Sequence, residues 1–325
     1  MASTTAALPR VRKARLSSRE AREYTSFYLF LAPWLLGFVV ISLLPLLFGL
    51  GISFTNYGGF SLSNMRVVGF RNYGRALADP EVPFALRRTV FYTALAVPSG
   101  LALSFGIALM LNGRIWGRNY FRTVWYIPAV LPIVASCWIW KLFGATNTGL
   151  LNALISLFRP GTAIRWLEDY ATITLIAFTL WGGVGGSMVI FLAGLQGIPT
   201  ELKEAASIDG ANNSRIFWHV ILPLMTPVLF FQLVMHIIKA LQVMQPALLL
   251  AETPSEGMGM AIGVPRANYM YMVHVYVTTF YHNNFGYGNA MLWLIFLLIL
   301  ALTLIVFRSS RYWVYYEVEQ EGGKA

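Results

Sequence analysis

Apolar residues in this chain come in long blocks separated by short polar breaks. A bilayer core of ~30 Å takes about 20 apolar residues in a helix, and six segments qualify: 27–54, 89–111, 121–143, 171–197, 223–250 and 290–307. The pattern predicts an all-α polytopic membrane protein with six transmembrane helices. One break, FRNYGRALADPEVPFALRR at 70–88, is too polar to cross. Its Tyr73, Leu77 and Phe84, with arginines between them, predict a helix lying on the outer surface. The break between the fourth and fifth blocks, IPTELKEAASIDGANNSRIFWHVILPL, holds Glu201, Lys203, Glu204, Asp209 and Arg215, charges too costly to leave in lipid. Pro199 suits a helix start, and Glu201 and Glu204 then fall near its positive end. Leu202, Ala205 and Ala206 share one face at helical spacing. Asp209-Gly210 supplies a stop, because glycine accepts the left-handed conformation that ends many helices. A second short helix is expected through Ile216, Phe217 and Val220, up to Pro223. The product is a helix, a hinge and a helix, with a small-residue face left free for docking.

Charge sets the orientation of these blocks. The chain of 325 residues is 57% hydrophobic and 12% charged, about half the charged share of a soluble domain. Its net charge of +10 is not arranged as a basic stripe with interleaved aromatics, so nucleic acid is not an expected partner. Lysines and arginines favour the inner face. One side takes Arg10, Arg12, Lys13, Arg15, Arg19 and Arg22 of the leading tail, Arg114, Arg118 and Arg122, then Lys203 and Arg215, then Arg308, Arg311 and Lys324. The other side takes Arg66, Arg71, Arg75, Arg87, Arg88, Lys141, Arg159, Arg165 and Arg266. The bias puts both termini and the charged loop at 198–222 in the cytoplasm, and the protein in the plasma membrane. The leading tail precedes an apolar run too long for a cleaved signal, so the first helix is expected to be retained. The organisation is a basic tail at 1–26, a membrane domain at 27–311, and a tail at 312–325 whose end from Glu317 is expected to be disordered.

Much chemistry is excluded. A single cysteine, Cys137, rules out an internal disulfide, and the four histidines form no metal-ligand spacing. Neither a metal site nor a catalytic group is expected. The chain has no GxxxxGK[ST] phosphate loop, so it is not expected to bind ATP itself. The spans hold no Asp or Glu, against a proton-coupled carrier or intramembrane acid–base work.

Two spans carry candidate path residues. The fourth contains Gly182, Gly183, Gly185, Gly186 and Ser187, which fit close helix packing or a loose helix beside a pathway. Trp181, Gly185 and Met188 are the candidates there, Trp181 as a flat surface for a sugar ring. In the fifth, Gln232, His236, Lys239 and Gln242 project within an arc of about 120°. Such a stripe suits either a buried network or a water-filled path whose donors and acceptors replace water around hydroxyls. An ammonium at Lys239 would suit an anionic saccharide, or simply donate to hydroxyls. Pro33, Pro45, Pro98, Pro128 and Pro132 lie within spans and, as a set, fit a bundle that rocks between two states.

Glu204-Ala205-Ala206, three residues, Gly210, nine residues, and Val220-Ile221-Leu222-Pro223 resemble the signature loop of binding-protein-dependent ABC importer permeases. The stretches at the third and fourth spans and FGYGNAMLWLIFLLILALTLIVFR at the last are similar to the sugar-importing, maltose-type branch, so the likeness covers about 27–311. Two positions depart from it: the turn after the fifth span reads AETPSEGMGM, and Arg88 stands where the family usually has asparagine. The resemblance implies that 198–222 forms a cytoplasmic coupling helix, with Glu204, Ala205, Ala206, Asp209, Gly210 and Ala211 meeting an ATPase. It also implies a second, different permease subunit, two ATP-binding subunits holding ATP and Mg, an extracytoplasmic solute-binding protein, and a saccharide or related polar solute. Two other classes remain to be weighed. A membrane enzyme such as a lipid-linked glycosyltransferase would need a carboxylate cluster at a membrane face, and the one adjacent acidic pair is Glu168-Asp169. An ion-coupled secondary carrier should show repeated halves, and none is apparent.

Overall fold

The computed structural model describes residues 18–61, 63, 65–113, 115–251 and 263–315. Arg10, Arg12, Lys13, Arg15, Arg114, Lys324, the tail from Glu317 and all but the first residue of AETPSEGMGM lie outside the described residues. Among the described residues, regular structure is helical, apart from one antiparallel bridge between Thr55 and Val67.

The chain divides into two units, Met1–Ile52 and Ser53–Ala325. The first is dominated by α1 (Tyr24–Ser53), long and apolar enough to cross a bilayer. A widened π turn at Phe38–Leu43 comes just before Pro45, whose missing N–H leaves the preceding turn without a donor.

In the second unit, α2 (Arg71–Ala78) leads to α3 (Glu81–Asn112). Next come α4 (Arg118–Val130), α5 (Ile133–Gly144), α6 (Leu150–Ser156) and α7 (Ala171–Gly197). Then follow α8 (Thr200–Ile208), α9 (Asn213–Leu241), α10 (Gln245–Leu249), α11 (Tyr271–Tyr276) and α12 (Phe285–Trp313). α3, α7, α9 and α12 are span-length, and α4 with α5 adds a broken one. The core lies between them: Phe105, Met188, Phe191 and Met225 bury one cluster between α3, α7 and α9. Leu241, Tyr271, Tyr287 and Met291 bury another.

Contacts at the helix ends fix an up-and-down arrangement. Asn268 donates to the Ala171 carbonyl (2.9 Å), Arg266 reaches Glu81 (2.8 Å) and Arg88 reaches the Ala267 carbonyl (2.8 Å). These join the starts of α3 and α7 to the segment after α9. At the opposite end, with its amide turned so that the oxygen accepts, Gln196 receives bonds from Arg118 and Arg122.

Four sequence expectations are corrected. The third span is not one helix over 121–143: α4 and α5 meet at 103°, because Pro132 drives Leu131 into extended backbone (ψ 139). The fifth span does not run to 250. It stops at Leu241, Gln242 caps it, and α10 starts beside Pro246. The surface helix is only α2; Asp79 is extended, and 81–88 is already the first part of α3. Finally, the second helix of the charged loop is not separate: Asn213–Leu241 is one span, with a π turn at Phe217–Ile221.

Candidate functional site

A cavity of about 700 Å³ opens where α3, the α4–α5 break, α7 and the C-terminal part of α9 converge. Glycine and proline shape it. Gly100 lets His236 approach α3, since a Cβ there would sit 3.3 Å from the imidazole. The bend at Leu131–Pro132 turns α4 and α5 apart, and Pro128, Leu131 and Ile133 line the space. Trp181 lines it from α7, with its ring packed against Trp140 and Phe178 (centroids 6.0 and 6.3 Å). Polar groups facing it include Tyr92, Thr179, Ser187, His236, Lys239, Gln242 and Gln245.

The polar stripe of the fifth span splits in two. Gln232 is buried and donates to the Ser187 carbonyl (3.3 Å), and His236 Nε2 meets Ser187 Oγ at 2.8 Å. These two tie α9 to α7, Gln232 from a buried position and His236 from the edge of the cavity. Lys239 and Gln242 line the cavity, Gln242 from the cap rather than from a helical turn. Among the described residues, no carboxylate lies within 4.0 Å of Lys239.

Two expected path residues sit elsewhere. A Cβ at Gly185 would run into the Trp125 carbonyl oxygen, so this glycine lets α4 press against α7. Met188 is fully buried in the cluster with Phe105 and Phe191. Neither lines the cavity.

The charged loop stands apart from the cavity. α8 ends as expected: Gly210 takes φ +80, Gly210 N–H bonds to Ser207 O (3.1 Å) and Ala211 N–H to Ala206 O (2.9 Å), a Schellman stop. Asn212 then caps α9 by accepting from Arg215 N–H (2.9 Å). Ile198 and Ile216 are buried, and Phe217 packs on Phe105 (6.3 Å), which anchors both flanks. Between the anchors, Glu204, Ala205, Asp209 and Gly210 are exposed, Ala206 and Ala211 are half-buried, and Ile208 is 86% exposed. Among the described residues, none of Glu201, Lys203, Glu204, Asp209 and Arg215 forms an ion pair.

Residues 100–314 match the family described as "Binding-protein-dependent transport system inner membrane component". The chain belongs to that family. It is 34% identical over 299 residues to the probable ABC transporter permease protein YesP of Bacillus subtilis, covering 90% of this chain and 93% of that one. With the trehalose/maltose transport system permease protein MalF of Thermococcus litoralis it shares 30% identity, covering 91% and 97%. Among solved structures, a chain of a bacterial alginate ABC transporter, in complex with a periplasmic protein bound to alginate pentasaccharide, has the same fold. The TM-score is 0.77 at 19% identity, over 90% of this chain and 96% of that one. The molecule is thus a membrane transport component, and the family match favours neither the enzyme nor the secondary-carrier reading. In this permease Glu168 and Asp169 are both held by Arg165 (2.6 and 2.9 Å), which gives that acidic pair a structural role.

Sequence reasoning missed a lock at the end of the permease opposite α8. Arg266 lies 3.7 Å over the Phe84 ring while pairing with Glu81. Arg88, the residue that departs from the family's asparagine, also donates to Thr172 (2.8 Å). His274 is buried, with Nδ1 3.0 Å from Tyr269 Oη and Nε2 3.8 Å from Asp79. Apart from His274 and Tyr269, which are five residues apart, the partners lie about 80 to 200 residues apart in sequence, so no local pattern pointed to those pairs.

Proposed function

We propose that the permease is one of two membrane subunits of an ATP-driven importer for a saccharide or related polar solute. The solute is delivered by an extracytoplasmic binding protein. The observation that carries this reading is the cavity: an aromatic face at Trp181 beside hydroxyl and amide groups at a helix convergence. Aromatic faces stack on the apolar C–H side of sugar rings, and the polar groups replace water around hydroxyls. Relatives named for saccharide transport support the substrate class, as does the fold shared with an alginate transporter.

In this reading α8 is the coupling helix, on the cytoplasmic side with both termini, as the lysine and arginine bias favours. Two separate ATPase subunits bind ATP and Mg, and the cleft of one receives Ala205, Ala206, Ile208 and Gly210. Glu204, Asp209 and Ala211 border that contact. ATP binding draws the coupling helices together, and the anchors Ile198, Ile216 and Phe217 pass the movement to α7, α9 and α3. The binding protein and the ATPase supply the differential contacts that such a population shift requires. The second permease subunit is a different chain and completes the path.

The test is uptake by vesicles reconstituted with both permeases, the ATPase and the binding protein. A labelled oligosaccharide should accumulate only with ATP inside and loaded binding protein outside. Accumulation driven by an ion gradient without ATP would overturn the reading.

A further inference from the structure

We infer that the cavity selects a saccharide bearing a carboxylate, and that Lys239 is the cation that holds it. The inference rests on the importer reading and deepens it. Among the described residues that line the cavity, Lys239 is the one lysine or arginine, and none is an aspartate or glutamate. The described carboxylates lie elsewhere: Asp79, Glu81, Glu168 and Asp169 at one end, Glu201, Glu204 and Asp209 on α8 and at its cap. Two of the four at that first end are held by Arg165, and Glu81 by Arg266.

Nor is the charge met from within the helix. His236, one turn earlier, is tied to Ser187 and brings no negative charge. Lys239 is in the last turn of α9, where the helix dipole favours a cation, but a partial charge spread over carbonyls does not neutralise an ammonium. Lys239 is exposed to the cavity, so a ligand can reach its ammonium, and hydroxyls there solvate the charge without cancelling it. A carboxylate does both, through a charge-assisted hydrogen bond.

The number of charges also points to one class of anion. One ammonium matches one carboxylate. A phosphate monoester brings about −1.5 to −2 and would leave the cavity net negative. Trp181 then takes the ring face, and Gln242 and Gln245 the hydroxyls around it.

The test uses the full reconstituted transporter, with an oligosaccharide bearing a single uronate residue and its methyl ester as probes. The two differ in charge and little else. The binding protein's own preference is common to all permease variants, so it cancels when their acid-to-ester uptake ratios are compared. We expect Lys239→Gln to lower that ratio by about tenfold or more, and Lys239→Arg to keep it within about threefold of the original. Loss of uptake by the same factor for both probes would overturn carboxylate recognition. So would a ratio that does not change. If Lys239→Gln does not assemble, direct binding to the unmodified complex at ~0.05 and ~0.5 M salt decides. The free acid should weaken and the ester should not; an equal response contradicts the inference. Uptake of neither probe by the unmodified, ATP-hydrolysing complex would overturn the saccharide reading itself, and the inference with it.

Discussion

At the scale of single residues, function is set by which backbone lies opposite each side chain. Gly185 and Gly182 look alike in the sequence, yet only Gly185 faces a neighbouring backbone, while Gly182 has open space and lines the cavity. Gly185→Ala should therefore destabilise the permease by about 1–3 kcal/mol, the usual cost of overpacking. Gly182→Ala should leave stability nearly unchanged, and thermal unfolding of the purified complex compares them. His274 makes a second residue-scale prediction. Burial pushes its imidazole below the ordinary 6.5, against the pull of Asp79 and Glu81. The unfolded chain then takes up a proton that the folded one resists, so stability is full above about pH 6.5 and falls as pH drops toward the depressed value. His274→Gln should flatten the decline in melting temperature between about pH 7.5 and 5.5. A decline unchanged in that variant would assign it to another group.

At the scale of elements, the sequence showed which helices exist better than where they end. Six apolar blocks were legible because lipid demands about 20 apolar residues per crossing, and the Asp209-Gly210 stop was legible because few residues take φ +80. The sharp bend in the third span was foreshadowed by Pro132, although hydropathy runs through it unbroken. The early start of α3 was hidden by Glu81, Arg87 and Arg88: Glu81 and Arg88 are satisfied across the fold by Arg266 and Ala267, and Arg87 by the Pro83 carbonyl one turn back. For the charged loop, Gly210→Val forces a β-branched residue into a left-handed conformation at a cost of about 1–3 kcal/mol. ATP-dependent uptake should fall by about tenfold while the amount inserted in the membrane stays the same. Normal uptake by that variant would remove the hinge from the mechanism.

At the scale of the whole molecule, the account joins a cavity between helices to a lever at one end. The polar stripe of the fifth span was readable from its periodicity. Its division into a pair tied to α7, the buried Gln232 and the half-buried His236, and an exposed pair, Lys239 and Gln242, depends on where α9 stops and on Ser187 lying opposite. That is tertiary information. The lever itself is open to a direct measurement, because Cys137 is the chain's single cysteine and is buried. In a Cys137→Ser background, Ala205→Cys places one thiol on the exposed face of α8. In sealed vesicles of native orientation, the account predicts that this thiol cross-links to the ATP-hydrolysing subunit through a short bismaleimide. It also predicts protection from an impermeant maleimide added outside. Labelling from the outside, or no ATPase within reach of the cross-linker, would contradict it.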